Sequence, residues 1–347
     1  ATYDDDDDDS GGGDDDDAGE IAITLLSAKG DVSSRCLYDV TCVIAEQNGN
    51  VTEAKNLSED FAESSVLELK VAIDSNVSDI LLAGDTEFKE KLRQATMKHA
   101  VDIAIQREDL LRHQKRVVVF DLADTLVKTR VYASLAAFVG KAAEFDAIRK
   151  RLPRSQDYAE RVKEYVKLLK GATRAQVQQF NRTLKLTKGS RFTCGALRKL
   201  GYKLAIISTQ LDFVAEHVAN VLGVHYVYAN KVCWNGNECS GEIELPVLDG
   251  NAKVDLVQVL CQRLNCQLDQ VIAVGKEGSG YSSGVLDVVG LGVAFHSSRD
   301  ASSNMLFNKD LTKVLYLLGH SPSAFQKCVD DAGRQAVRFA QASDFVA

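Results

Sequence analysis

The sequence predicts an α/β protein made of two unlike parts, a small βαββαβ unit followed by a larger parallel sheet covered by helices. Three observations carry this prediction. Over residues 20–108, segments with an apolar period near two alternate with segments of helical spacing. From Arg116 onward, largely apolar runs at Val117–Phe120, Lys203–Ile207 and Val271–Val274 are separated by helical stretches, as expected for strands buried on both faces. The chain has 347 residues, enough for two compact domains that each bury a core.

Residues 1–19 are set apart by charge. Asp4–Asp9 and Asp14–Asp17 place ten carboxylates around Ser10–Gly13, more than the whole formal net charge of -8, so the remainder is slightly basic. Such a run repels itself and has nothing apolar to bury, which predicts a disordered acidic arm; docking to a basic partner or loose calcium binding are its functional alternatives. An apolar strand follows at Glu20–Leu26, then a helical stretch at Ser34–Gln47 and a turn at Asn48–Asn50. Val51–Leu57 and Val66–Ile73 read as strands, Asp85–Lys98 as a helix and Val101–Gln106 as a strand. This order and length resemble an ACT domain with its ferredoxin-like topology. The resemblance implies a homodimer or a protein partner held through this unit, and an amino-acid sensor as an alternative role.

Residues 109–116 form a charged helical connector. In the large domain, 117–319, the stretch at about 129–186 is mostly helical and rich in Arg, Lys, Glu and Gln. It is the expected cap over the carboxyl edge of the sheet, where ligands sit in such folds. Residues 320–347 read as a C-terminal helical extension.

Composition excludes several classes. No apolar run approaches the ~20 residues a membrane helix needs. Basic residues are interspersed with acids and lack an aromatic stacking pattern, which argues against nucleic acid. The eight cysteines form no CxxC pair and no metal-ligand spacing; buried free thiols are expected, and with them a soluble protein of a reducing intracellular compartment. The chain opens at Ala1, which fits transit-peptide cleavage, and so an organelle matrix or stroma, or removal of an initiator methionine in the cytosol. The six histidines show no spacing of a ligand set.

The segment VVVFDLADTL, Val117–Leu126, ends an apolar strand at Asp121. It resembles the first motif of the haloacid dehalogenase superfamily, in which a strand delivers a nucleophilic Asp to the crevice. AIISTQ, with Ser208, and NAKVDLV, with Lys253, resemble that family's hydroxyl and ammonium contacts to a phosphoryl group. VDIAIQREDLLRHQKRVVVFD, GLGVAFHS and DLTKVLYLLG read like phosphoserine phosphatases that carry an ACT domain. The resemblance covers about residues 20–319 and implies a HAD-like Rossmannoid sheet with a helical cap. A carboxylate so placed attacks phosphorus and holds the phosphoryl group as an acyl phosphate.

Five positions depart from that pattern. Ala123 stands where the resemblance implies the general acid, whose loss typically costs ~10²- to 10⁴-fold. Lys276 and Gly280, in VGKEGSGYSSG, stand where it implies a magnesium-ligating Asp and a supporting Asp. Arg130 and Tyr165 stand where it implies the Glu and Arg that hold serine. A hard dication wants oxygen ligands, so magnesium is expected to be lost, leaving no cofactor and no metal. Lys276 is expected to pair with Asp121, while Asp124, at a turn position, is expected to point elsewhere. These departures lead to the expectation of a catalytically inactive relative, a pseudoenzyme acting as a scaffold or peripheral subunit of a larger assembly. Asp121, Ser208 and Lys253 would then be remnants. A metal-independent hydrolase using Asp121 as nucleophile is the enzymatic alternative.

Overall fold

The computed structural model describes residues 18–27, 30–58, 65–74, 87–152, 158–276, 284–295, 304–306 and 310–319. The acidic arm as far as Asp17, Glu277, Gly280, Cys328 and the C-terminal extension 320–347 lie outside these residues.

Four strands form the N-terminal module: β1 (Ala18–Ser27), β2 (Asn50–Asn56), β3 (Val66–Asp74) and β4 (Val101–Arg107). They pair antiparallel in the order β2-β3-β1-β4. The helices Ser34–Ala45 and Glu87–Met97 cover one face. That face is apolar because alternate residues of the strands, such as Ile21, Ile23 and Leu25 of β1, meet Val40, Ile44, Phe88 and Leu92 of the helices. Ser33 starts the first helix by accepting a hydrogen bond from the Cys36 amide at 3.2 Å. The other face mixes buried polar side chains such as Glu68, Asp102 and Gln106 with apolar ones such as Leu26 and Ala104, and it meets the connector. Arg112, only 2% exposed, forms ion pairs with Glu68 of β3 and with Glu108.

The large sheet is parallel. Its strands are β5 (Val117–Phe120), β6 (Lys203–Leu211), β7 (Tyr226–Asn230), β10 (Val271–Gly275), β11 (Leu291–Phe295) and β12 (Asn304–Leu306), in the order β12-β11-β10-β5-β6-β7. Side chains on both faces are buried: Val118, Phe120, Ile206 and Val274 on one side, Val117, Val119, Ile207 and Ala273 on the other. That is why these strands read as continuous apolar runs rather than alternating ones. From β5 the chain moves outward through β6 and β7, then returns to the other side of β5 as β10. The boundary between β5 and β10 is therefore the point where the strand order reverses, and a crevice opens there at the carboxyl ends.

The two sheets join into one of ten strands where β12 pairs antiparallel with β4 at Met305–Ile103. Buried side chains reinforce the junction, with the Gln106 amide donating to the Leu317 carbonyl at 2.9 Å.

Four helices, Val131–Phe138, Ala142–Arg151, Tyr158–Lys167 and Arg174–Arg182, lie between β5 and β6 in the region expected to be a cap. The sequence reading missed the small hairpin β8 (Val232–Asn235) and β9 (Glu238–Ile243), which packs against the cap. The amide of Gly171 donates to the Cys239 carbonyl and the Cys239 amide to the Ala172 carbonyl, both at 2.9 Å. Arg174 stacks on Trp234 at 4.2 Å. Its signal was Asn235-Gly236, a turn dipeptide with Gly236 at φ 61°.

The cysteines need one correction. Cys36, Cys194, Cys239 and Cys261 are buried and free, but Cys42 is exposed, because it sits on the outer face of its helix. No helix of the described residues is long and apolar enough to cross a membrane.

Because Arg112 is buried against two carboxylates, Arg112→Ala leaves uncompensated charge in the seam and is expected to lower stability by about 3–5 kcal/mol. Urea denaturation followed by circular dichroism checks this, and a loss inside the roughly ±0.5 kcal/mol of ordinary surface substitutions would contradict it.

Candidate functional site

Asp121 is the first residue after β5, and its amide donates to the Val274 carbonyl of β10 at 2.9 Å. This bond extends the sheet pairing by one residue and fixes the carboxylate at the crevice between β5 and β10. Asp121 is 3% exposed. Its Oδ1 accepts from the Leu122 amide at 2.8 Å and faces the Lys253 ammonium at 3.5 Å.

Lys253 reaches Asp121 from the first turn of the helix Ala252–Leu264 and is itself 1% exposed. Burial lowers its pKa from the usual lysine value, while the Asp121 charge and hydrogen bond act in the opposite sense. A buried carboxylate and a buried ammonium are each costly alone and compensate one another here. Ser208, 1% exposed, lies in β6, and its Oγ accepts from the Gln210 amide at 3.2 Å. The three residues named as nucleophile, ammonium and hydroxyl contacts thus come from β5, the helix after the hairpin and β6.

Lys276 follows β10 directly and so also stands at the carboxyl edge. Its Nζ meets Asp124 Oδ2 at 2.9 Å, with the two side chains 39% and 45% exposed. This corrects the expectation for Asp124. The residue takes a left-handed conformation, φ 58°, in a turn where the Asp124 amide donates to the Val127 carbonyl at 2.8 Å. That geometry aims the carboxylate toward Lys276 instead of away from the crevice. The ion pair displayed by Lys276 is therefore with Asp124, and the one displayed by Asp121 is with Lys253.

Among the described residues, the carboxylates at this edge are matched by ammonium groups and not gathered as a magnesium set. Among the described residues no group of three His, Cys, Asp or Glu side chains is placed to hold a metal. The two carboxylates of the Asp121–Asp124 turn each face an ammonium, and the position after β10 carries one of these, Lys276, where a dication would need an oxygen ligand.

Ala123 is half-buried two residues after Asp121 and offers only a methyl group. Arg130 is exposed at the start of the helix Val131–Phe138, where its side chain makes no cap bond. Tyr165 lies in an aromatic cluster of the cap, with its ring 5.3 Å from Tyr132 and 4.6 Å from Phe145. Two residues of this region escaped the sequence reading. The hydroxyls of Tyr132 and Tyr158 both donate to the Thr209 carbonyl, at 3.1 and 2.8 Å. Their signal was spacing, since Tyr158 and Tyr165 are two helical turns apart and share a face. Burial pushes the Tyr158 phenol up to about 12, with the Asp121 charge adding to the effect, and pushes Tyr132 well above the usual tyrosine value.

Residues 118–275, which contain this crevice, match the family model of haloacid dehalogenase-like hydrolases. The α/β fold, with its parallel sheet and covering helices, is consistent with a HAD-like domain. More particularly, the chain is similar to phosphoserine phosphatases. It is 25% identical to that of Archaeoglobus fulgidus over 247 residues, covering 70% of this chain and 71% of the relative. It is 26% identical to that of Saccharomyces cerevisiae over 301 residues, covering 82% and 96%. A HAD family hydrolase from Salmonella enterica subsp. enterica serovar Typhi superposes with a TM-score of 0.70 at 17% identity, covering 86% of this chain and 98% of that one, a likeness of fold.

These findings overturn the expectation of a catalytically inactive scaffold or structural subunit. The hydrolase family match and the named phosphatases on both sides point to an enzyme. The physical error lay in counting lost groups without weighing the retained ones. Asp121, Lys253 and Ser208 are all buried at one sheet edge.

The two ammonium groups should behave differently. Lys276→Ala removes a half-exposed pair and is expected to change the unfolding free energy by less than about 1 kcal/mol. Lys253→Ala strands the buried Asp121 carboxylate and is expected to cost about 3–5 kcal/mol. Denaturant titration of the two variants side by side separates the roles; equal losses would contradict the assignment.

Proposed function

We propose that the chain is a phosphomonoester hydrolase in which Asp121 takes the phosphoryl group as a covalent aspartyl phosphate and works without magnesium. The observation that carries this reading is the buried Asp121–Lys253 pair at the reversal point of the sheet. Asp121 has one oxygen directed to Lys253 and the Leu122 amide, contacts that hold the carboxylate at the crevice for attack. A carboxylate oxygen forms a bond to phosphorus while the bond to the ester oxygen breaks. Water then attacks the same phosphorus, returning the Asp121 carboxylate and releasing inorganic phosphate.

The phosphoryl charge is met by two ammonium groups, Lys253 and Lys276, with Ser208 donating a hydrogen bond. Lys276 is held at the mouth by Asp124, a mobile counter-charge that a dianionic phosphate would replace. Fixed positive charge aimed at the transferring group is the electrostatic help that phosphoryl transfer needs. Arg130 and Tyr165 support a leaving group other than serine, since Arg130 repels an ammonium where a Glu would hold it and Tyr165 has no charge to offer a carboxylate.

The experiment is hydrolysis of p-nitrophenyl phosphate by the full chain with excess EDTA. Turnover is expected to survive the chelator and to fall by roughly 10³-fold or more in Asp121→Asn, as for loss of a covalent nucleophile. Activity that disappears with EDTA and returns with magnesium would overturn the metal-free reading, and activity that survives Asp121→Asn would overturn the nucleophile.

We further read the N-terminal module as an ACT-like unit that pairs with a second copy. Its βαββαβ order and four-stranded antiparallel sheet support this. Of its outer strands, β4 lies against β12, whereas β2 is exposed along most of its length, so β2 is the edge offered for pairing. Sedimentation equilibrium is expected to return a dimer; a monomer at high micromolar concentration would remove the β2 contact.

A further inference from the structure

Tyr132 and Tyr158 come from different cap helices, yet both hydroxyls donate to the one carbonyl oxygen of Thr209. A carbonyl has two lone pairs and accepts both. Thr209 directly follows Ser208 in β6, so the two phenols stand at the rim of the crevice, on the side opposite the sheet. The two phenols also act on one another, and the charge of Asp121 acts on Tyr158 across the gap. Arg161 stands over the Tyr158 ring at 5.5 Å. The groups that face Tyr158 are therefore Asp121, Tyr132, Arg161 and the Thr209 carbonyl.

The cap side of the crevice is where a leaving group lies when Asp121 attacks from the sheet side, because attack and departure are roughly in line. The position that would ordinarily protonate that group is Ala123, which has no proton to give. On the reading of Asp121 as nucleophile, we propose that Tyr158 is the proton donor to the leaving oxygen, so that the site takes alkyl phosphomonoesters despite Ala123.

The step balances as follows in atoms and charge. The Asp121 oxygen bonds to phosphorus, and the ester P–O bond breaks with its electron pair on the leaving oxygen. The Tyr158 O–H proton passes to that oxygen, giving the neutral alcohol and a tyrosinate. Tyr132, donating its hydroxyl to the tyrosinate, and Arg161, over the ring, steady the negative charge. In the second half-reaction the tyrosinate takes a proton from the attacking water as the water oxygen bonds to phosphorus and the aspartyl oxygen leaves. A phenol raised by burial still lies below an aliphatic alcohol in pKa, so the transfer to an alkoxide runs downhill.

Tyr158→Phe keeps the ring and deletes only the hydroxyl, so the test turns on leaving groups. With p-nitrophenyl phosphate the departing phenolate is stable and needs no proton; with β-glycerophosphate the alkoxide does. Tyr158→Phe is expected to lower kcat/KM for β-glycerophosphate by about 100-fold more than it lowers kcat/KM for p-nitrophenyl phosphate. A purely structural role would reduce both alike, so equal losses, or no loss on either substrate, overturn the proposal. A wild-type chain that hydrolyses only p-nitrophenyl phosphate overturns it too, while leaving Asp121 as nucleophile intact. Failure of the hydrolase reading looks different, since the wild type would then turn over neither ester.

Discussion

The ion pair between Asp121 and Lys253 is the constraint around which the large domain is arranged. β5 and β10 are apolar along their whole length, and their carboxyl ends would close on themselves if the next residues were apolar as well. A carboxylate there is buried to 3% exposure, which is tolerable only with a compensating charge in reach. Lys253 supplies it at 3.5 Å from the first turn of a helix that packs on the opposite face. Both partners are then locked, because moving either leaves the other desolvated and alone. The helix Ala252–Leu264 is thereby tied to the β5 end.

Much of this fold was legible because burial on both faces writes itself into sequence as unbroken apolar runs. Val117–Phe120 and Val271–Gly275 are such runs, and their ends name Asp121 and Lys276 directly. The N-terminal module was legible for the complementary reason: one covered face gives alternation, as in Val66–Asp74. The junction of the two sheets was not legible. It rests on one strand pair, Met305–Ile103, between segments about two hundred residues apart, and on buried polar contacts such as Gln106 to Leu317, which have no local pattern. The hairpin β8–β9 had its turn signal in Asn235-Gly236 but strands too short to show alternation.

In the site, residues on the main chain's own direction could be placed and residues aimed by a turn could not. Asp121, Ser208 and Lys253 follow from where strands and a helix end or begin. Asp124 was misread because its left-handed backbone, φ 58°, reverses the direction that an extended chain would give it. The tyrosines were overlooked for another reason. Tyr132 and Tyr158 sit in separate helices, and only tertiary packing brings their hydroxyls to the Thr209 carbonyl.

The charge arrangement is what the proposed metal-free reaction draws on. A magnesium ion contributes two positive charges, but it needs several oxygen ligands in near-octahedral order. Two lysines bring the same formal charge on flexible stems that need no such order. Lys253 is held in place by burial, whereas the Lys276–Asp124 pair is half-exposed, and such a contact is weak. The exchange has a chemical consequence. An ammonium stabilises the phosphoryl oxygens but offers no metal-bound water and no strong polarisation of the leaving oxygen, so the proton for that oxygen must come from a side chain. With Ala123 silent, the proposal gives that requirement to the hydroxyl-bearing rim of the cap, so that the lysine at the end of β10 and the phenols of the cap helices become parts of one substitution.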